Sequence, residues 1–392
     1  MLKYFLITTL CFTQLIFIAQ QKEKRKKLKN KIAIEGYTKY MNTASVLSLD
    51  SIIGDNLIHN RIKIKAFLST KITTVIEMRN RIFYGEATRL NPDLGALLDN
   101  DQGQIDLSFV PVNNKSLVIH SIFDRAFVKY MGDKWELRVG RQRINWGVNL
   151  AWNPNDLFNA YSLIDFDYQE RPGADALRFQ YFTGDLSSIE VAIQPGENLN
   201  ESIIAGLWKF NKYKYDIQLL AGNYNNDIAV GGGWAGNIKE SGLKGELTYF
   251  HPKENLTDTS GTISTSITID HSFKNGLYLN NSILYNSSGI SSINTNANPF
   301  QSFSYVLSPK NLMPSKFTYF SQISSNINPS LNYSFSGFYM FGFNVLLLMP
   351  SINYSIAENW ELMLLGQTAA GLKNNKINPL GTGLFLRLMV NF

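Results

Sequence analysis

The sequence predicts an all-β protein: a single closed antiparallel transmembrane β-barrel of about 18 strands, with 16 as the nearest alternative. Three observations predict it. Apolar residues alternate with a period of two through most of the chain after residue 31. The long connections between alternating segments all share one parity. The chain also closes on an aromatic residue, Phe392, at the end of an alternating strand.

Composition points the same way. Of 392 residues, 44% are apolar, 13% aromatic and only 17% charged, below the quarter usual in soluble domains. Disorder is excluded, because aromatic and β-branched residues run throughout. A disulfide scaffold is excluded, because Cys11 is the only cysteine. A helical bundle is excluded too. Beyond the N-terminus the longest apolar run, 341–350, is interrupted by Asn344 and is about half the roughly 20 residues a spanning helix needs.

The chain opens with Lys3 and an apolar stretch over 4–19, the pattern of a secretory signal. A short membrane anchor is the alternative. Cys11 follows Leu10 too early for a lipoprotein site. The expected boundaries are a signal at 1–20, a basic periplasmic leader at 21–31, and one barrel domain at 32–392. The leader reads as a solvated segment rather than a nucleic-acid arm.

Alternating segments begin near residues 32, 58, 72, 118, 134, 174, 187, 202, 214, 228, 241, 262, 277, 315, 331, 346, 360 and 383. Every even-numbered connection is turn-like: Ser69-Thr70-Lys71, Gly132-Asp133, Gly184-Asp185, Asn211-Lys212, Lys239-Glu240-Ser241, Lys274-Asn275-Gly276, Asn328-Pro329 and Glu358-Asn359. The odd-numbered connections include all the long ones: 85–117, 147–173, 251–261, 287–314 and 369–382. A soluble sandwich has no reason to sort loops this way. A barrel with short periplasmic turns and long external loops does. Both termini then lie on the periplasmic side. The closing strand sets Leu384, Leu386, Leu388, Val390 and Phe392 on one face. It resembles the C-terminal signal through which the barrel-insertion machinery recognises its clients.

The charged residues then set which face is inward, since Lys or Arg at the bilayer midplane costs about 2–4 kcal/mol. Arg61, Lys63 and Lys65 face inward, as do Arg79 and Arg81 beside Glu77. So do Arg125 and Lys129, Arg138 beside Glu136, and Arg178 beside Gln180. Later strands offer mainly Ser, Thr and Asn, as in Ser264, Ser266, Thr268, Asn332, Ser334 and Ser336. The basic residues therefore form a wall on one arc. Any water-filled barrel needs a polar lining. The sharper reading is a pore favouring anions, because walls of Arg and Lys select for them. Arg141 and Arg143 share the parity of lipid-facing Trp135, Leu137 and Val139. Either the strand has left the membrane there, or a bulge at Gly140 turns both inward to join the wall.

The connection 147–173 is rich in aromatics and acids, among them Trp152, Asp156, Tyr161, Asp165, Asp167, Tyr168 and Glu170. It is expected to fold into the lumen and narrow it. Asp156, Asp165, Asp167 and Glu170 would then face the basic wall. The alternative is an external cap on the barrel rim.

Within 123–182 the chain reads DRAFVKY, WELRVGRQRINWG, NPNDLFN and ERPGADALRFQYF. This stretch resembles the bacterial porin-like barrels related to the alginate-export family. The matching residues are Gly140, Arg141, Gln142, Trp146, Gly147, Asn153, Pro154, Asp156, Arg171, Pro172 and Gly173. The resemblance implies an outer-membrane barrel of a Gram-negative bacterium that passes a solute, with an anionic saccharide as a candidate.

Nothing points to an enzyme. The histidines, His59, His120, His251 and His271, are isolated in sequence, and Ser is too abundant for nearness to one to mean much. No metal cluster or cofactor motif is expected. Gly231-Gly232-Gly233 lies inside a strand pattern rather than before a helix. A pI near 9.1 does not suggest nucleic acid, since the excess charge sits in the leader and the lumen. Two classes remain: a solute channel with an open lumen, and a surface- or capsule-assembly barrel with a plugged one.

Overall fold

The computed structural model describes residues 31–48, 51–101, 103–167, 170, 172–254, 257, 260–292, 306–373 and 376–392. The expected signal, all of the leader but Lys31, Tyr168 and the motif residue Arg171 lie outside the described residues.

One antiparallel sheet accounts for the architecture. Its first strands are β1 (Ile32–Ser48), β2 (Ser51–Phe67), β3 (Ile72–Gly85), β4 (Ser108–Asn114), β5 (Leu117–Met131) and β6 (Trp135–Gln142). Then come β7 (Ala174–Gly184), β8 (Ser187–Gln194), β9 (Ile203–Lys212), β10 (Tyr215–Tyr224), β11 (Asp227–Ile238) and β12 (Ser241–Pro252). The rest are β13 (Thr262–Ser272), β14 (Tyr278–Asn286), β15 (Phe317–Asn328), β16 (Leu331–Met340), β17 (Val345–Ala357), β18 (Trp360–Lys373) and β19 (Lys376–Asn391). Sequence neighbours pair except β3 with β4, and β19 returns to β1 from Asn391↔Tyr37 to Thr382↔Val46. The backbones of Gly36 and Phe392 bond each other at 3.0 and 2.9 Å, so the last residue helps close the ring.

Strand β4 is the exception to simple order. β3 pairs along the whole of β5. On the other edge of β5, β6 takes Ala126–Met131 and β4 takes the opposite end, Leu117–Ile122. β4 thus fills the wall where β6 leaves it. The sheet has nineteen strands, and setting β4 aside leaves eighteen that form the closed barrel. These match the expected segments one for one.

Two details differ from expectation. The connection 369–382 is not a loop, because β18 runs to Lys373 and β19 starts at Lys376. Thr368 and Thr382 join their hydroxyls at 2.7 Å across that hairpin, and Asn, Lys and Gly there masked the strand signal. The connection 85–117 contains β4 and two short helices, Glu86–Leu90 and Leu94–Leu98.

The outward face is apolar. Ile62, Ile64, Ile76, Val128, Val139, Leu177, Val191, Leu219, Ile267, Leu364 and Leu386 are all exposed there. In a bilayer such side chains meet hydrocarbon, and a closed ring leaves no unpaired strand edge. Near the periplasmic turns Trp135 stacks on Tyr130 at 5.1 Å and Trp208 packs on Phe210 at 4.4 Å, as in the aromatic girdles of such barrels. The buried apolar clusters lie inside the ring. Each joins inward-facing strand residues to the segment 144–166.

Candidate functional site

The inward face of β2–β8 carries the basic arc, and acids are threaded through it. Arg61 donates to Asp124 at 2.8 Å and Glu77 at 2.7 Å. Arg79 approaches Asp124 at 3.3 Å. Lys63 lies 3.5 Å from Glu35 and 3.7 Å from Glu77, and Lys65 lies 3.4 Å from Glu35. Arg138 reaches Glu136 at 2.6 Å, with Lys129 4.0 Å from the same carboxylate. Arg178 is held by Glu190 at 2.6 Å and Glu136 at 3.6 Å. Arg81 bonds His120 at 3.0 Å and lies over the Phe83 ring. Arg125 donates to the Asp124 carbonyl at 2.7 Å.

Asp124 reaches the lumen through a register break. Glu77 pairs with Arg125 but Met78 pairs with Phe123, which leaves Asp124 as the extra residue. Both Asp124 and Arg125 are therefore buried inside. Among the described residues the arc sets nine cations (Arg61, Lys63, Lys65, Arg79, Arg81, Arg125, Lys129, Arg138, Arg178) against Glu35, Glu77, Asp124, Glu136, Glu190 and, from the lumenal segment, Glu170. It keeps a positive excess. Lys63, Lys65, Lys129 and Arg138 are its more exposed members.

Arg141 is placed differently from expectation. It binds Asp175 at 2.8 Å, Asp101 at 2.7 Å and the carbonyls of Ile105 and Phe123. This knot ties β5, β7 and the approach to β4 together where β6 ends. It is a wall fastener with its guanidinium consumed, not part of the lining. The pairing of β6 is continuous through Gly140, so there is no bulge at that point. Gly140 has a φ of 114° instead, a conformation open mainly to glycine. Arg143 lies beyond the strand on the lumenal segment, exposed, and bonds Asn145 at 3.2 Å.

The described part of the segment 143–173 crosses the inside of the barrel. Its own motif residues shape it: Asp156 accepts the N–H groups of Trp146 and Gly147 at 2.6 and 2.7 Å. Asn159 accepts from Ile144 at 2.7 Å and donates to the Pro172 carbonyl at 2.6 Å. The wall then grips it. Glu246 on β12, fully enclosed, accepts the N–H groups of Val148, Asn149 and Asn155 at 2.6, 2.7 and 3.0 Å. Trp146 donates to Glu190, and its carbonyl accepts from Gln218 on β10, both at 2.6 Å. Asn149 donates to Ser266 on β13 at 2.7 Å.

The glycine run explains the seat. A Cβ at Gly231 or Gly233 would stand 3.1 or 3.0 Å from the Asn155 side chain, so β11 is bare where the segment presses on it. Across the lumen, Trp152 packs edge-on against Phe320 and Phe338. At the far end Lys39 and His59 hold Asp167 at 2.7 and 3.2 Å. Burial alone would push the Asp167 carboxyl up, but its hydrogen bond to His59 and the Lys39 charge hold it well below the usual carboxylate range. Burial also pushes the Tyr161 phenol up, with Asp165 adding to it.

Contact with inward-facing residues of β1, β2, β8, β10, β12 and β13 puts the segment inside, not on the rim. Its acids do not form one facing row. Asp156 is spent on the segment's own backbone, Asp167 pairs with Lys39 and His59, and Trp152 is core. Asp165 is exposed and its charge bears on Lys39 and Tyr161, while half-buried Glu170 bears on Arg61 of the wall.

Sequence reasoning missed Lys39, His59, Asp124, Glu190 and Glu246. Two signals were present: Glu246 at inward parity between Lys244 and Thr248, and three glycines where a strand wants side chains. Among the described residues no group of His, Cys, Asp and Glu could hold a metal ion. No helix there is long and apolar enough to cross a membrane.

Fold and lumen together define a porin-like transmembrane β-barrel of the outer-membrane type. No protein-family model matches the chain, and no curated protein sequence does. Solved structures do. OccAB4 of Acinetobacter baumannii superposes with a TM-score of 0.54 at 12% identity, over 93% of this chain and 99% of that one. OccK11 (OpdR) of Pseudomonas aeruginosa gives 0.53 at 10% identity, over 92% and 96%. The outer membrane protein opdK of Pseudomonas aeruginosa gives 0.53 at 8% identity, over 92% and 99%. At these identities the likeness establishes the fold.

Proposed function

We propose that the protein is an outer-membrane channel for small solutes that favours anions, acidic saccharides among them. The observation that carries this is the excess of cations over carboxylates on the lumenal arc, with Lys63, Lys65, Lys129 and Arg138 the more exposed. Solvated positive charge along a pore wall raises the local concentration of anions and lowers that of cations. The segment 143–173 acts as the constriction. The saccharide reading, and the kinship with alginate-export barrels, rest on the motif stretch 123–182. Lipid contacts the outer wall, and the insertion machinery engages the strand ending at Phe392.

Planar-bilayer recording tests the reading. Under a KCl gradient the reversal potential is expected to show anion preference. Changing Lys63, Lys65 and Lys129 together to Gln is expected to reduce it. Cation preference in the native protein would refute it. The lumenal segment also favours a second reading, a plugged barrel serving surface or capsule assembly. Folded protein that gives no channels at all would select that one.

A further inference from the structure

We propose that the barrel holds a binding site for small neutral apolar solutes, of one- or two-ring aromatic size, between the lumenal segment and the inner wall of β16–β19. This goes beyond the anion path. A cavity of about 560 Å³ lies there, lined chiefly by Ile164, Met340, Leu347, Gln367, Ala369 and Phe385. None of its lining residues is ionisable. The volume falls in the range of small-molecule sites.

An apolar inner wall is out of place in a water-filled barrel, so it needs a reason. Packing explains part of it: Trp152, Leu163 and Phe166 cover the neighbouring Leu365, Phe338 and Phe320. The cavity is a half-open recess rather than a sealed void, so a solute can enter it. Strand alternation is also broken in the cavity's favour. The β18–β19 register skips between Ala369 and Ala370, leaving Leu380 unpaired and packed into the lumenal cluster. A Cβ on the next residue, Gly381, would meet nothing within 4 Å.

The lining sets the ligand class. Ile164 and Phe385, both partly exposed, offer apolar faces to a planar ring. Gln367 makes only long contacts, 3.5 Å to the Ile164 carbonyl and 3.9 Å to the Met349 sulfur, so its amide is free to turn to a solute N–H or hydroxyl. A charged solute would lose its hydration against a lining that holds no ionisable residue.

Indole, with indole-3-acetate as its charged counterpart, tests the site by titration calorimetry on the full barrel in lipid nanodiscs, corrected with barrel-free discs. Saturable binding of one indole per barrel is expected, with indole-3-acetate at least about tenfold weaker. Ala369→Phe fills the cavity and is expected to weaken indole at least about tenfold. Leu347→Trp serves if that variant does not fold, as judged by heat-modifiable gel migration. The reversal potential of either variant should match the native one, which separates this test from that of the anion path. Absence of saturable indole binding, undiminished binding to a folded cavity-filled variant, or equal binding of indole-3-acetate would overturn the proposal.

Discussion

Replacing Glu246 with Gln probes how the lumenal segment is held. One oxygen of the Glu246 carboxylate accepts from Val148 and Asn149, and the other accepts from Asn155. An amide keeps one acceptor and turns an NH₂ group toward at least one of those N–H donors. An unsatisfied buried N–H costs about 1–3 kcal/mol. The surviving bonds also lose their charge assistance, about 1 kcal/mol more. A total near 3 kcal/mol raises the undocked population of the segment by about 100-fold. The barrel wall does not depend on these bonds, so Glu246→Gln should fold and stay heat-modifiable. Single-channel current should rise or become noisy, and protease should cut within 148–158 sooner than in the native protein. Unchanged current together with unchanged protection would show that the segment is not held by this carboxylate and does not narrow the path.

Three further expectations follow from the same geometry. Asp167→Asn leaves Lys39 buried without its counter-ion, a loss of about 3 kcal/mol from segment docking, seen as faster proteolysis near 165. Because the native carboxyl titrates below its ordinary range, its contribution is complete above about pH 4 and fades as pH falls toward the lower folded value. The gap between native and Asp167→Asn should therefore hold from pH 8 to 5, and a gap that closes by pH 5 contradicts the pairing. Val139→Arg puts a charge on the lipid face and should cost about 2–4 kcal/mol in reversible unfolding from vesicles; no loss would place that residue away from hydrocarbon. Phe392→Ala should slow assembly by the insertion machinery in reconstituted membranes, and native rates would remove that role.

Most of the fold was legible because a membrane barrel repeats one physical rule along the whole chain. Alternation marked the strands, and the sorting of loops by length marked the two sides. The final hairpin was misread, since Thr368–Thr382 pairing holds β18 and β19 together beyond the apolar band, where sequence pattern weakens. The inward direction of Arg61, Arg79, Arg138 and Arg178 was legible from the cost of the opposite choice. Their partners were less so: Asp124 enters through a register break, which no alternation rule foresees. Arg141 showed the limit most clearly. Parity alone left it between lipid and lumen, and the structure uses it as a knot between strand ends. The crossing segment could be expected from its aromatics, but Asp156 looked like a lumenal charge until its backbone partners were seen.

Paired cysteines at adjacent positions of β6 test the central claim, a ring with charge and water inside and apolar residues outside. With Cys11, the one cysteine of the sequence, replaced by Ser, Arg138→Cys and Val139→Cys each carry a single thiol. A membrane-impermeant cationic methanethiosulfonate should react with the cysteine at 138 and change the channel current, while leaving the one at 139 untouched. The reverse order of reactivity would contradict the account.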